Sequence, residues 1–195
     1  MAKLHFRYGT MGSGKSLDLL KVAYNYEENG MTVLILTSKI DDRYGNDIVK
    51  SRTGIHKDAI GLSDTDDIWS IVEYKQSVLG TKLSCILVDE VQFLTVDHIF
   101  QLAKIVDKMG IPVICYGLRS DFKKAPFEST KYLMAIADEL EEMKTICSVC
   151  GKKKATVNAR LVDDKVVIEG PQVAVGGNEL YKPMCRTCHT SLLNL

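Results

Sequence analysis

A glycine-rich stretch near the start of the chain has the residue types and the spacing that bind phosphate. It follows the pattern G-x-x-x-x-G-K-[ST], known as a P-loop. The glycines let backbone N–H groups turn towards phosphate oxygens, and the start of a following helix adds positive potential. We therefore expect Lys15 to reach the β- and γ-phosphates of a nucleotide and Ser16 to bind Mg²⁺. The stretch comprises Gly9, Thr10, Met11, Gly12, Ser13, Gly14, Lys15 and Ser16.

A pair of acidic residues forms the second candidate site. Four apolar residues, 85–88, lead directly into Asp89 and Glu90. Sheets of α/β proteins bind ligands at the carboxyl ends of their strands, which is where this pair would lie. Asp89 is placed to hold Mg²⁺ through its hydration shell, as acidic partners of P-loop serines do. Strand alternation directs Glu90 to the other side, where it could act as a base or orient a nucleophile.

Two C-x-x-C pairs near the end of the chain predict a zinc site. The pairs are Cys147–Cys150 and Cys185–Cys188, with 34 residues between them. Four thiolates complete a tetrahedral Zn²⁺ site and leave no position for water, so the metal would be structural. His189 is an alternative fourth ligand to Cys188, and a redox role or free thiols are the other interpretations of the pairs. Cys85 and Cys115 fall inside apolar strands and are expected to be small buried hydrophobes.

Composition excludes several classes of protein. The chain has 195 residues, of which 46% are hydrophobic and 26% charged, and its net charge is zero. This balance argues against a strongly basic nucleic-acid binder. No apolar run approaches 18 residues, and the sequence starts without an apolar signal region. We expect a cytoplasmic protein with no nucleic-acid and no membrane partner.

Hydrophobic periodicity predicts the elements that position these groups. Residues 4–8 alternate as in a short strand, residues 17–26 have helical spacing, and residues 31–38 form a continuous apolar run. A strand, a helix and a strand in this order form a βαβ unit with parallel pairing. Further elements are predicted as helices over 66–80, 95–109 and 128–141, and as strands over 85–88 and 111–118. Thr95 or Asp97 would cap the helix over 95–109.

These elements define the expected fold class and domains. We predict an α/β fold in which a P-loop-type parallel sheet is flanked by helices over residues 1–144. A small zinc-binding domain over 145–195 would follow, and it is too small for a core of its own without the metal. A hairpin around Asp163-Asp164 is predicted within it.

Three loops are candidates for ligand contacts. In the polar segment 39–65, either Arg43 or Arg52 could meet a phosphate, although a solvated surface is the favoured interpretation for most of the segment. In the loop over 119–127, Phe122 and Phe127 could stack a planar ring or could anchor the loop to the core. The glycine-bearing loop over 170–181 could close over a ligand or simply connect two elements.

Taken in order, these motifs resemble the type II thymidine kinase family, which includes the cytosolic human enzyme and most bacterial ones. The resemblance runs nearly from end to end. Its parts are the P-loop with Met11, Asp89-Glu90-Val91-Gln92-Phe93, the stretch from Tyr116 to Phe122, and Gly176-Gly177-Asn178-Glu179-Leu180-Tyr181 shortly before the second cysteine pair. The resemblance implies transfer of the γ-phosphate of ATP to the 5′-hydroxyl of deoxythymidine.

The resemblance also implies roles for individual residues. Glu90 matches the family's base and Asp89 its Mg²⁺ partner, while Phe122 matches the aromatic that stacks on thymine. Added to the P-loop, the nucleotide-binding set is Asp41, Asp42, Arg43, Asp89 and Gln92. The nucleoside-binding set is Met11, Phe93, Leu118, Phe122, Phe127, Gln172, Val173, Ala174, Val175, Gly176 and Tyr181, in which 172–176 with Tyr181 match a lasso that binds the base through backbone groups. Similar enzymes are homotetramers and are inhibited by deoxythymidine triphosphate.

The sequence departs from the family pattern inside the P-loop. Proline and an aromatic residue usually stand where this chain has Thr10 and Gly12, so the adjoining pocket could differ in shape. Ser16 replaces the more usual threonine and keeps the hydroxyl. Two other functions fit the motifs: a P-loop ATPase with a zinc ribbon that acts on nucleic acid, with Glu90 activating water, and a zinc-ribbon binding module that uses ATP as a switch.

Overall fold

The computed structural model describes residues 1–40, 47–163, 165–173 and 180–193. In chain order its strands are β1 (Leu4–Tyr8), β2 (Val33–Ser38), β3 (Ile48–Lys50), β4 (His56–Asp58), β5 (Ile60–Leu62), β6 (Cys85–Val88), β7 (Val113–Gly117), β8 (Glu139–Glu142), β9 (Val157–Val162), β10 (Lys165–Val167) and β11 (Tyr181–Met184). The helices are α1 (Lys15–Glu28), α2 (Ile68–Leu79), α3 (Val96–Met109), α4 (Glu128–Ile136) and α5 (Arg186–Leu193).

A six-stranded sheet forms the centre of the molecule. Its strand order is β5-β2-β6-β7-β1-β8, and all five pairings are parallel. Parallel neighbours need crossover connections, which helices and loops supply here. The predicted α/β sheet flanked by helices is therefore confirmed.

Side chains of the central strands alternate between two apolar cores. Ile35, Leu87 and Ile114 pack with α1 on one face of the sheet. Residues beside them in sequence, such as Leu36 and Val88, pack with α2, α3 and α4 on the other face. Because successive side chains in a strand point to opposite faces, a sheet covered on both sides requires continuous apolar runs. This explains the uninterrupted hydrophobic stretches seen in the sequence.

The predicted helix over 128–141 is wrong beyond Ile136. Residues 139–142 form the edge strand β8, which pairs with β1. Glutamate and leucine favour helices, but β1 offers an open edge and basic partners. Glu139 forms ion pairs with Lys3 and His5, and Glu141 pairs with Arg7. Tertiary pairing therefore overrides local propensity here.

The remaining predicted helices and their boundaries are close to those observed. Asp67 caps α2 through a hydrogen bond from the Trp69 N–H. Of the two candidates, Thr95 caps α3, where its hydroxyl accepts from the His98 N–H at 3.2 Å. In the segment 39–65, a short antiparallel hairpin of β3 and β4 is followed by β5. Sequence periodicity missed these three strands because each has only three residues.

The C-terminal segment forms a second, antiparallel sheet with the strand order β10-β9-β11. The predicted hairpin is present as β9 and β10, whereas β11 and α5 were not predicted. A small cluster that includes Ala159, Leu161 and Met184 packs against the cysteines. Among the described residues, no helix combines the length and the apolar composition needed to cross a lipid bilayer.

Candidate active site

One cavity, of about 270 Å³, lies where three strands of the central sheet end. The P-loop follows β1, Asp89 follows β6, and Leu118 follows β7. The carboxyl ends of parallel strands share one edge of a sheet, so these segments meet there. Predicted site residues that line the cavity are Met11, Gly12, Gly14, Lys15, Ser16, Asp89, Glu90, Gln92, Phe93, Leu118, Phe122, Phe127, Gln172, Val173 and Tyr181.

Several predicted residues do not line this cavity. Gly9, Thr10 and Ser13 belong to the same loop but are absent from its lining. Asp41, Asp42, Arg43, Ala174, Val175 and Gly176 lie outside the described residues. The nucleotide-binding and lasso predictions made for those six stay predictions.

The P-loop has the backbone that its glycines predict. Gly14 precedes α1 with φ +82°, a conformation that side chains disfavour. A Cβ at Gly9 would lie 2.3 Å from the Met143 carbonyl oxygen, so only glycine fits there. The Lys15 ammonium donates to the carbonyl oxygens of Gly9 (3.3 Å) and Thr10 (3.0 Å). The loop thus holds the Lys15 ammonium against its own backbone, next to the N-terminus of α1, where an anion site is expected.

Thr10 and Gly12 are the two P-loop residues that differ from the family pattern. Gly12 has φ +76°, and a Cβ built on it would meet only Arg52 at 3.9 Å and Pro183 at 4.0 Å. The Thr10 hydroxyl is buried without a hydrogen-bond partner among the described residues. Of the two arginines proposed to meet a phosphate, Arg52 therefore lies beside the P-loop and lines the cavity.

Asp89 and Glu90 open into the same cavity. The strand ends at Val88, and Glu90 adopts a left-handed backbone with φ +48° before a short 3-10 turn over 91–93. Strand alternation placed Glu90 on the opposite side from Asp89, and that expectation is wrong because the chain turns at this residue. Both carboxylates line the cavity with Lys15. A non-glycine residue in this conformation is uncommon and costs energy, which is typical of functional positions.

The Asp89 carboxyl is fully enclosed, and its pKa reflects this. Burial raises the pKa to about 7, and the negative charge of Glu90 acts in the same direction. A hydrogen bond from Ser16 and the charge of Lys15 act to lower the pKa. Burial disfavours the charged form unless a cation or donors compensate it. A divalent cation beside Ser16 and Asp89 would supply that compensation, so the pair fits the predicted Mg²⁺ position.

Gln92 links the acidic pair to the neighbouring strand. Its side-chain oxygen accepts from the Leu118 N–H at 2.9 Å, and its side-chain nitrogen donates to the Glu90 carboxylate. A Cβ at Gly117 would lie 2.6 Å from that oxygen, so the glycine makes room for the bridge. Gln92 was predicted to bind nucleotide, and these contacts also give it the position to orient Glu90.

Three phenylalanines also line the cavity. Phe93 and Phe127 meet edge to face with ring centroids 6.1 Å apart, and both line the cavity. Phe122 is 1% exposed and Phe127 6%, so both loop phenylalanines are packed into the protein as well as facing the cavity. The two interpretations of these residues, core anchor and pocket wall, are therefore compatible. Aromatic walls of this kind suit a planar ring.

The second sheet closes the cavity and contributes two residues that sequence reasoning missed. Asn158 and Arg160 lie on one face of β9, opposite Val157, Ala159 and Leu161, and all five are buried. Asn158 lines the cavity. Buried polar residues that alternate with buried apolar ones were a usable signal, because such groups need partners. Their partners lie far away in sequence, so their role was not visible there.

Asn158 fastens the second sheet to the P-loop. Its side-chain oxygen accepts the Met11 N–H at 2.8 Å. We expect Asn158→Ala to leave that amide unsatisfied and to lower the free energy of unfolding by roughly 1–3 kcal/mol. The same change should raise the KM for ATP several-fold, since the P-loop loses its brace.

Thermal denaturation and steady-state kinetics test this prediction. Asn25→Ala, an exposed change of the same type on α1, serves as the control and should alter neither quantity. An unchanged KM for ATP in Asn158→Ala would show that the P-loop keeps its shape without this bond.

The four cysteines form one cluster. The Sγ atoms of Cys147, Cys150, Cys185 and Cys188 all lie within 4.8 Å of one another. Tetrahedral Zn–S bonds of about 2.3 Å separate sulfurs by about 3.8 Å, so the cluster fits zinc with little movement. Burial acts to raise the pKa of the Cys147 thiol, but surrounding backbone N–H groups outweigh it and lower the pKa to about 6. Thiolate is the form that binds metal.

His189, Cys85 and Cys115 are buried residues outside the four-cysteine cluster. His189, the alternative ligand, is not a member of the cluster. Its two ring nitrogens are buried and have no hydrogen-bond partner among the described residues. Cys85 and Cys115 are both fully buried, and burial raises the pKa of each thiol. They are therefore small core residues, as predicted.

The parallel sheet, the glycine loop ahead of α1 and the acidic residue after β6 define a P-loop nucleotide-binding fold. The thymidine kinase family model matches residues 2–189. This chain belongs to the thymidine kinase family.

Individual relatives agree with the family match. A thymidine kinase from Listeria monocytogenes serotype 4b (strain F2365) is 51% identical over 193 residues, which are 98% of each chain. One from Lactococcus lactis subsp. lactis (strain IL1403) is 48% identical over 186 residues, covering 95% of this chain and 96% of the relative. A solved Pif1 helicase from Candida albicans aligns with a TM-score of 0.46 and 12% identity over 74% of this chain and 36% of its own. A likeness this weak carries no argument about function.

Proposed function

We propose that the chain transfers the γ-phosphate of ATP to the 5′-hydroxyl of deoxythymidine. The observation that carries the proposal is a single cavity lined both by Lys15 and Asp89 and by Phe93, Phe122 and Phe127. The first group has the chemistry of a phosphate site and the second that of a site for a planar base. Glu90 lines the same cavity, as a group acting on a hydroxyl between the two must. Membership of the family supports the choice of substrates.

Each residue has a proposed role in the transfer. Backbone amides of the loop and the Lys15 ammonium stabilise charge on the transferring phosphoryl group. Mg²⁺ held near Ser16 and Asp89 would neutralise further phosphate charge. Glu90, oriented by Gln92, accepts a hydrogen bond from the 5′-hydroxyl and takes its proton late in the transfer. Phe122 stacks on the base, and Met11, Leu118 and Phe127 form the walls around it.

The raised pKa of Asp89 predicts a pH dependence of Mg²⁺–ATP binding. With a pKa of about 7, the carboxyl holds a proton in the nucleotide-free protein at pH 6 and has lost it at pH 8. Cation binding requires the ionised form, so affinity should rise with pH. The ionised fraction changes from about one tenth to about nine tenths, so the Kd should be about tenfold higher at pH 6 than at pH 8.

Isothermal titration calorimetry at the two pH values measures this change. Asp89→Asn should bind more weakly at both and lose the slope. A wild-type Kd that is flat between pH 6 and pH 8 would contradict the assignment of Asp89 to the cation.

The C-terminal cysteines would hold structural zinc. In this proposal residues 1–144 bind ATP, and residues 145–195 use the metal to support the loop that covers the nucleoside. Two sheets with separate apolar clusters are consistent with such a division. We further propose, by family membership, a cytoplasmic homotetramer that deoxythymidine triphosphate inhibits by occupying the same cavity.

Acceptor-dependent release of ADP tests the proposed function. With ATP and Mg²⁺, deoxythymidine should stimulate ADP release strongly, whereas deoxycytidine and water should not. Release that is stimulated by DNA or RNA instead would favour the rival ATPase, in which Glu90 activates water. ATP binding without turnover on any acceptor would favour the rival binding module.

A further inference from the structure

Arg160 is a buried arginine in the middle of β9, and it is 5% exposed. Its guanidinium carbon lies 3.7 Å from the centroid of the Phe122 ring and 5.2 Å from that of Tyr181. Contacts this close between a guanidinium and an aromatic face are attractive, especially away from water. One face of Phe122 is therefore taken by Arg160, and a planar ligand could stack only on the other.

The same guanidinium holds the start of the loop over 170–173. Nη1 donates to the carbonyl oxygen of Pro171 at 2.8 Å, and Nη2 donates to that of Gln172 at 3.4 Å. Gly170 has φ +113°, and a Cβ there would lie 3.3 Å from Nη1, so a glycine lets the loop approach the arginine. These donors converge on Pro171 and on Gln172, the first residue of the predicted lasso.

Arg160 also reaches the other end of that loop. Its Nε donates to the Tyr181 hydroxyl at 3.1 Å, and Nη2 donates to the same oxygen. Arg160 therefore contacts both Gln172 and Tyr181, which are nine residues apart in the sequence. A buried arginine without such partners would be strongly destabilising, and here carbonyl and hydroxyl oxygens satisfy it.

A second hydrogen bond joins the same two segments. The Gln172 side-chain nitrogen donates to Asp121 Oδ2 at 3.0 Å, and Asp121 Oδ1 accepts the Ala125 N–H at 2.9 Å. Asp121 stands next to Phe122 and is itself buried. The loop after β7 and the loop over 170–173 are thus joined by the Gln172–Asp121 hydrogen bond as well as through Arg160.

We propose that Arg160 is a positioning residue that clamps Phe122, the segment 170–173 and Tyr181 into one base-binding wall. It does not contact the reacting atoms, and this inference rests on the proposed nucleoside kinase activity. The planar guanidinium of arginine can stack on an aromatic ring and at the same time donate hydrogen bonds to several acceptors. The ammonium of lysine has no planar group that could stack in this way. The clamp is accordingly specific for arginine and not merely for positive charge.

Arg160→Lys is the direct test, because it keeps the charge and loses the planar fork. We expect the KM and the Kd for deoxythymidine to rise about tenfold, since charged hydrogen bonds and stacking are lost. The kcat and the KM for ATP should stay within about twofold. Arg186→Lys is a matched control, since it makes the same change at an exposed position, the first residue of α5.

The split between substrates separates a positioning role from a structural one. A purely structural role would lower the zinc content, the melting temperature and the kcat of Arg160→Lys while leaving the deoxythymidine KM unchanged, and that result would overturn the proposal. An equal rise in both KM values would also overturn it.

If Arg160→Lys does not fold, a second variant still tests the positioning role of Arg160. Tyr181→Phe removes only the hydroxyl that accepts two of the guanidinium's hydrogen bonds, and it should raise the deoxythymidine KM roughly threefold. An unchanged KM in that variant would contradict the clamp. Failure of the wild-type protein to phosphorylate deoxythymidine at all would instead remove the proposed function, so the two failures are distinguishable.

Discussion

Glu90→Gln should lower the kcat for phosphate transfer to deoxythymidine by about 10²–10⁴-fold, the usual contribution of a positioned general base. Glutamine keeps the size of the side chain and a hydrogen-bonding group beside Gln92, but it cannot take the proton of the 5′-hydroxyl. Glutamate and glutamine are alike at Cβ, so the change adds no steric strain at this left-handed residue. ATP binding should therefore be nearly unchanged.

Single-turnover kinetics and ATP titration measure the two quantities separately. Glu73→Gln, an exposed carboxylate-to-amide change on α2, is the control and should retain full turnover. Near-normal kcat in Glu90→Gln would remove Glu90 from the role of base.

Cys185→Ser should abolish tight zinc binding and raise the deoxythymidine KM roughly tenfold or more, because structural zinc supplies much of the folding energy of small sites. Cys185 directly follows β11, whose first residue is Tyr181, so loss of the metal should loosen the wall that Arg160 organises. The KM for ATP should rise less, by no more than the several-fold change expected when Asn158 no longer holds the P-loop.

Metal analysis of the purified protein and nucleoside kinetics test this expectation together. Cys85→Ala, a cysteine in β6 outside the cluster, should keep one zinc per chain and lose only some stability. Full zinc content with an unchanged deoxythymidine KM in Cys185→Ser would contradict the proposed support of the nucleoside loop by the metal.

The central sheet was predictable because its signals are local. Continuous apolar runs, the glycine loop and the cap at Thr95 each depend on residues close together in sequence. The edge strand β8 was missed because its identity depends on the open edge of β1, a partner more than 130 residues away. The three-residue strands β3 to β5 were missed because so short a run has no period to detect.

The candidate site likewise has a part that local sequence signals predict and a part that depends on contacts between distant residues. The phosphate-binding residues could be predicted from the P-loop motif and from the position of Asp89 after an apolar strand. The turn at Glu90, which brings two carboxylates into one cavity, depends on a backbone conformation that alternation cannot predict. Asn158 and Arg160 acquire their roles only through contacts with Met11, Phe122 and Tyr181, which lie in other parts of the chain.

Tracing labelled γ-phosphate from ATP tests the central claim most directly. Wild-type protein would be incubated with Mg²⁺, labelled ATP and equal amounts of deoxythymidine and deoxycytidine, and the labelled products would be separated and identified. We predict label on the 5′-oxygen of deoxythymidine, with little on deoxycytidine and little as free phosphate. Label recovered only as free phosphate would leave a P-loop ATPase and contradict the nucleoside kinase.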